Sequence, residues 1–197
     1  MKTVGAALTP LLRSDFQGEL LALLFLQPTR EYSLTQLADA AKVSVSRVHG
    51  EVNRLSDSGL VTERRVGYTR LVQANMAHPL ARPLTEMLEL SYGPGVVVPA
   101  VLHGMPGLQR AYVFGSWAAR RLGEPGAPPA DIDVLLVGEP SRDDMVGAQR
   151  KAEEMLHREV NIQRVSVEEW DTPASGFIRT VKDQPLVPLA LGTEDAS

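Results

Sequence analysis

Asp131 and Asp133 stand two apart at the head of the apolar run DIDVLLVG. On a strand, residues two apart point to one face, so both carboxylates would lie side by side. Two carboxylates on rigid backbone suit Mg²⁺, which prefers oxygen ligands and bridges to substrate phosphates. Upstream, the apolar YVF runs into Gly115-Ser116 and the small-residue stretch that follows. Glycine lets backbone approach a ligand, and a serine at a helix start adds a hydroxyl to N–H groups that suit phosphate. Gly115 and Ser116 are therefore expected to bind a nucleotide, and Asp131 and Asp133 a metal. A second group lies in the first half: Ser44, Ser46, Arg47, Gly50, Asn53 and Arg54 at helical spacing, then Arg64, Arg65, Tyr68 and Arg70 about Gly67. Hydroxyl, amide and guanidinium groups in such a set meet the base edges and phosphates of double-stranded DNA.

The elements that must position these residues are legible in the spacing. Ser14-Asp15-Phe16-Gln17 and Ser33-Leu34-Thr35-Gln36 each carry the capping-box spacing. The first opens a core-facing helix to about Leu26, the second a short helix to Ala41. Lys42-Val43 makes a tight turn. Ser44 caps a third helix that ends near Asp57, with Gly59 as its stop. Val45, Val48, Val52 and Leu55 share its apolar face, and Ser46, Arg47, Gly50, Asn53 and Arg54 the opposite one. Leu60–Arg65 and Tyr68–Val72 read as a hairpin with a basic tip. Helix, tight turn, helix and basic hairpin is the order of a winged helix-turn-helix. A connecting helix is expected over Ala77–Ser91, with Leu80, Leu84, Met87, Leu88 and Leu90 as its apolar positions. It either forms a dimer interface or packs on its own domain.

Tyr92-Gly93-Pro94-Gly95 then breaks the chain. A helix over Val96–Leu102, a strand at 109–114, a turn and helix at 115–122 and a loop at 123–130 follow. The aspartates open a strand at 131–137. A long helix at about 141–158, a strand at 160–165 and a short terminal helix complete the order. The expected fold class is α+β: a winged helix-turn-helix over 1–76, a connecting helix over 77–94, and an α/β domain with a small mixed sheet over 95–197.

Composition agrees with two modules. At 197 residues with 44% apolar and 22% charged residues, the chain reads as an ordinary soluble globular protein. It has no cysteine, so neither disulfides nor thiolate metal sites are available. The absence of a long apolar run or a convincing signal peptide makes no membrane association and a cytoplasmic location the expectation. The net charge of −4 is unevenly divided. Residues 1–92 hold ten basic and nine acidic side chains, whereas 93–197 hold ten and fifteen. Within 42–72 the counts are six basic and three acidic. A locally basic first half and an acidic second half suit different partners.

The stretch Ser33–Val72 resembles the winged-helix bacterial transcription regulators of the arsenic-repressor and multiple-antibiotic-resistance type. The resemblance implies a DNA-binding homodimer. The sensing cysteines of metal-responsive members are absent here. Roughly residues 95–190 resemble the nucleotidyltransferase superfamily, which includes DNA polymerase beta and the kanamycin nucleotidyltransferases. Gly115, Ser116, Ala118, Asp131 and Asp133 match its pattern, and His157–Asn161 matches the following strand. By this resemblance Gly115 and Ser116 would hold a nucleoside triphosphate, and Asp131 and Asp133 would hold Mg²⁺. Three departures stand out. Ala119-Arg120 replaces an expected Arg-Gly, the loop Arg121–Ala130 is long, and Asn161 occupies the position of a third, base-supplying carboxylate. Its same-face neighbours are Gln163 and, at the strand's mouth, Glu159. A neutral amide cannot act as a base.

The reading preferred on these grounds is a DNA-binding transcription regulator. Its appended nucleotidyltransferase-like domain would be catalytically impaired and would bind a nucleotide or other small-molecule ligand, or only hold the dimer. The alternatives are an active Mg²⁺-dependent nucleotidyltransferase of toxin–antitoxin type, modifying a protein, RNA or small molecule, and a pure interaction module.

Overall fold

The computed structural model describes residues 8, 10–173 and 176–191. The chain is α+β and divides into two compact units, Met1–Gly93 and Pro94–Ser197. Each has its own core.

In the first unit, α1 (Asp15–Phe25) is the central helix, with Leu20, Leu24 and Phe25 fully buried. Ser14 caps it through Oγ, which accepts from Gln17 N at 3.2 Å. A two-residue strand, β1 (Tyr32–Ser33), leads into α2 (Leu34–Ala40), where Ser33 and Gln36 form the reciprocal capping box. The turn to α3 (Val45–Asp57) depends on Lys42, which takes φ +52. Lys42 N then reaches Asp39 O at 3.3 Å and Val43 N reaches Ala38 O at 3.0 Å, the paired bonds of a left-handed helix end. Glycine is the usual residue at such a position. At the far end of α3 that residue is glycine: Gly59 at φ +75 closes the helix by the same pair of bonds.

Strands β2 (Val61–Val66) and β3 (Thr69–Ala74) form an antiparallel hairpin around the two-residue turn Gly67-Tyr68. Gly67 supplies the positive φ, +58, that the first turn position needs. β1 adds to the other edge of β3, giving the order β1-β3-β2. Nothing in the sequence reading foresaw that third strand.

Helix α4 (Ala81–Tyr92) starts four residues later than expected. Two short turns through Asn75, His78 and Ala81 occupy the gap. Ala81 and Leu88 join the core around α1, so α4 packs on its own unit. Leu80 (58% exposed), Met87 and Leu90 (61% exposed) point away from it.

The second unit holds a four-stranded sheet in the order β6-β5-β4-β7. Its strands are β4 (Leu108–Phe114), β5 (Asp131–Gly138), β6 (Glu159–Val165) and the short β7 (Val187–Pro188). β4 runs antiparallel to β5 and β7, and β5 runs parallel to β6. The sheet is mixed, as expected; β7 was not anticipated. On one face α5 (Pro94–Leu102) and α7 (Arg142–Leu156) cover Ala111, Val113, Ile132, Val134 and Leu136. On the other, α8 (Val167–Asp171) and α9 (Gly176–Asp183) cover Phe114, Leu135, Val137 and Val165. The single terminal helix of the sequence reading is thus two. Tyr112 and Trp170 stack here at 4.8 Å between ring centres. Trp117, on α6 (Gly115–Arg121), is buried in the core beneath α5 and α7. Among the described residues no helix is long and apolar enough to cross a membrane.

Candidate functional site

Two sets of side chains stand out, one on each unit. The first is the outer face of α3 and the hairpin beside it. Val48, Val52 and Leu55 tie α3 to the core, while Val45, expected with them, is exposed at the first turn. Ser46, Arg47, His49, Gly50 and Arg54 are exposed and Asn53 is half-buried. Ser44 Oγ accepts from Arg47 N at 3.3 Å, so the helix itself uses that hydroxyl as its cap. The Arg47 guanidinium lies 4.7 Å above the Phe16 ring. Stacking steadies the plane and leaves its edge N–H groups free to meet phosphate or a base. Asn53 Nδ2 and His49 Nδ1 are 3.4 Å apart on the same face.

The arginines divide into two kinds, which the sequence did not distinguish. Arg54 is paired with Glu51 at 2.9 and 3.2 Å. Arg64 makes a two-pronged contact with Glu31, just before β1. Arg70 makes another with Glu63 across the hairpin, Nε to Oε2 at 2.7 Å. These bonds hold the Glu31 and Glu63 carboxyls below their ordinary range. Among the described residues, Arg47 and Arg65 form no ion pair. Arg65 lies opposite Arg70 near the hairpin tip, beside the fully exposed Tyr68. Glu31 is the residue that the sequence reading missed. The signal was a lone acid next to the second capping box, and only the β1–β3 pairing brings it to Arg64.

The second set sits at the mouth of the sheet, where β4 ends and β5 begins. Asp131 and Asp133 share the face of Leu135 and Val137, at the start of β5, and both are half-buried. The parallel register sets Asp133 opposite Asn161 and Asp131 opposite Glu159. Asn161 Nδ2 donates to Asp131 Oδ2 at 3.2 Å and to Asp133 Oδ1 at 3.3 Å. Only the nitrogen of the amide can face two carboxylates, since its oxygen would be repelled. Burial pushes the Asp133 carboxyl above its ordinary value. The Asn161 bond opposes that, and the charges of Asp131 and Glu159 add to it.

Gly115 takes φ +70, and a Cβ there would lie 2.6 Å from Asp133 Oδ2. The turn at Gly115 therefore comes directly against the Asp133 carboxylate. Alanine at 115 would need the left-handed backbone and displace Asp133. Gly115→Ala is expected to cost about 2–3 kcal/mol, read from the urea midpoint of the second unit. Ser116 is exposed on the first turn of α6. Arg120, the shifted arginine, donates from Nη1 to the Glu124 carbonyl at 2.6 Å and is held by the following loop.

Asp131 and Asp133 would hold the Mg²⁺ that the superfamily resemblance implies, and Asn161 would have to turn its amide oxygen toward it as a weak, neutral third ligand. The space between the carboxylates that a cation would need receives the N–H groups of Asn161 instead. Glu159 is exposed at the start of β6 and does not complete a triad. Among the described residues no group of three or more His, Cys, Asp and Glu side chains is gathered at metal-binding distance.

No family model and no curated protein matches this sequence. Several solved structures do, over about half the chain, transcription regulators among them. MepR of Staphylococcus aureus, a transcription regulator of the multidrug efflux pump MepA, matches at 14% identity and TM-score 0.37, covering 44% of this chain and 63% of its own. Reduced HlyU of Vibrio cholerae matches at 20% identity and TM-score 0.35, covering 43% and 84%. A MarR-family regulator from Rhodococcus sp. RHA1 matches at 18% identity and TM-score 0.36, covering 52% and 70%. The chain thus spans less than two thirds of the first of these. The winged-helix order of the first unit stands on α2, α3 and the β2–β3 hairpin themselves.

Proposed function

We propose that this chain is a DNA-binding transcription regulator whose first unit lays α3 in the major groove and rests the β2–β3 hairpin on the phosphate backbone. One observation supports the reading most. The exposed face of α3 is small and polar at its centre and flanked by Arg47, and the adjacent hairpin tip offers Arg65 and Tyr68. Small polar side chains reach base edges, and unpaired guanidinium groups release counterions from phosphate. Homodimerisation is part of the proposal. Leu80 at the N-cap of α4 and Met87 and Leu90 within it are exposed apolar residues seven and three positions apart, spacings that keep them on one side of the helix.

The test is titration of duplex DNA across a salt series. Affinity is expected to fall linearly on logarithmic axes, and binding without salt dependence sinks the reading. Glu31→Gln sharpens it. Freeing Arg64 adds one available cation, so affinity for any duplex should rise severalfold below about 0.1 M salt and the slope should steepen by roughly 0.9.

For the second unit we propose a nucleotidyltransferase-like scaffold, without resident magnesium, that serves as a ligand pocket or as structure. The Asn161 bonds to both aspartates support this. The runner-up is an active transferase using Mg²⁺ and a nucleoside triphosphate, favoured by the placement of Gly115-Ser116 against Asp133. Transfer from labelled nucleoside triphosphates with Mg²⁺, abolished by Asp131→Ala, would establish the runner-up and end the first.

A further inference from the structure

Gly50 is the sixth of the thirteen residues of α3, on its exposed face. Glycine is among the poorest helix formers, because it loses the most backbone freedom on folding. Other glycines among the described residues have a reason within the chain. The Tyr92 hydroxyl takes the space beside Gly18, Asp133 crowds Gly115, and Gly59 and Gly67 need positive φ. Gly50 has none of these. A Cβ built there meets nothing within 4 Å, and its φ is not positive. Alanine would fit and would favour the helix.

What surrounds Gly50 points outward. Residues three and four away along a helix are its neighbours on the surface. For Gly50 these are Ser46, Arg47, Asn53 and Arg54, two small polar groups and two guanidinium groups. Gly147 in α7 also has open space. Its ring is Asp143, Asp144, Arg150 and Lys151, a mixed-charge solvent face with no preference for one partner. Gly147 is therefore a control of the same chemistry.

We infer that Gly50 is the point of closest approach of α3 to a DNA major groove, where the missing side chain lets Ser46 and Asn53 reach base edges, so that Gly50 sets sequence specificity rather than overall strength. This rests on the DNA-binding reading above. A methyl at the contact point holds the helix off the groove floor. Base contacts fall away over that distance, whereas phosphate contacts by Arg65 and the hairpin, on flexible side chains, persist.

The experiment uses the full chain and a duplex selected from a random-sequence library by the wild-type protein, against a scrambled duplex of equal length. Gly50→Ala is expected to bind the selected duplex at least about tenfold more weakly, as loss of base contacts requires. Its affinity for the scrambled duplex and its salt slope should stay at wild-type values, and its thermal midpoint should not fall. Gly50→Leu should lose more, and Gly147→Ala should change neither affinity. Gly50→Ala binding the selected duplex within about twofold of wild type overturns the inference while leaving the DNA-binding reading intact. A shift of molar mass with unchanged DNA affinity overturns it too, by placing the close approach at a protein surface. Wild-type protein that binds no duplex fails at the earlier step, and both readings fall together.

Discussion

Replacing Arg47 and Arg65 together by alanine is expected to weaken binding to any duplex about 60-fold at roughly 0.1 M salt and to reduce the log–log salt slope by about 1.8. The magnitude follows from counterion release. Each phosphate neutralised contributes roughly 0.9 to the slope, which is about eightfold in affinity at that ionic strength relative to 1 M. These two are chosen because the chain leaves them available. Arg54, Arg64 and Arg70 are each occupied by a glutamate of the same unit, so their removal also frees a carboxylate and confuses the reading. Arg47→Ala removes the stacking on Phe16 as well. That costs stability of the order of 0.5–1 kcal/mol, visible in the thermal midpoint and absent from the salt slope. The slope therefore separates a lost phosphate contact from a loosened helix. An unchanged slope in the double variant would remove α3 and the hairpin tip from the interface.

Much of the first unit was legible because its signals are local. Ser14, Ser33 and Ser44 each open a helix by accepting a bond three residues on, and Gly59 and Gly67 mark a stop and a turn. The periodicity of Val48, Val52 and Leu55 likewise picked out the buried face of α3. What stayed hidden depends on distant pairing. Tyr32-Ser33 become a strand only because β3 offers an edge, and that pairing carries Glu31 to Arg64. Lys42 at positive φ carried no signal, since the turn imposes a conformation that lysine does not favour. The start of α4 was misplaced because Ala77 and Leu80 are apolar at helical spacing yet lie in turns. In the second unit the two-residue alternation of Asp131 and Asp133 placed both carboxylates on one face. That Asn161 lies level with Asp133 follows from a parallel register set across a fifteen-residue helix, α7.

Asn161→Asp is the change with the largest expected effect on the second unit. The substitution removes both N–H donations to Asp131 and Asp133 and sets a third carboxylate between them. Hydrogen bonds to charged groups contribute about 1.5–3 kcal/mol each, so a loss of about 3–4 kcal/mol is expected near neutral pH. For a unit of this size that lowers the midpoint of thermal unfolding by on the order of 15 °C. The sign with pH is fixed by the crowding. Like charges raise the carboxyl pKa values in the folded unit above those of the unfolded chain. The penalty is therefore present above the folded values, shrinks as pH falls through them, and vanishes below the unfolded range near 4. As the pH falls through the folded values a retained proton bridges the carboxylates as the amide hydrogens did, and the lost stability should return. Mg²⁺ supplies the other test. A cation between three carboxylates relieves the same repulsion, so millimolar Mg²⁺ should raise the midpoint of the variant near neutral pH. The wild-type chain should gain no more from Mg²⁺ than from sodium chloride of equal ionic strength, because its amide hydrogens already hold the carboxylates. Equal Mg²⁺ stabilisation of both proteins would mean that Asn161 turns its oxygen to a cation, and the transferase reading would then regain the ground that the two hydrogen bonds take from it.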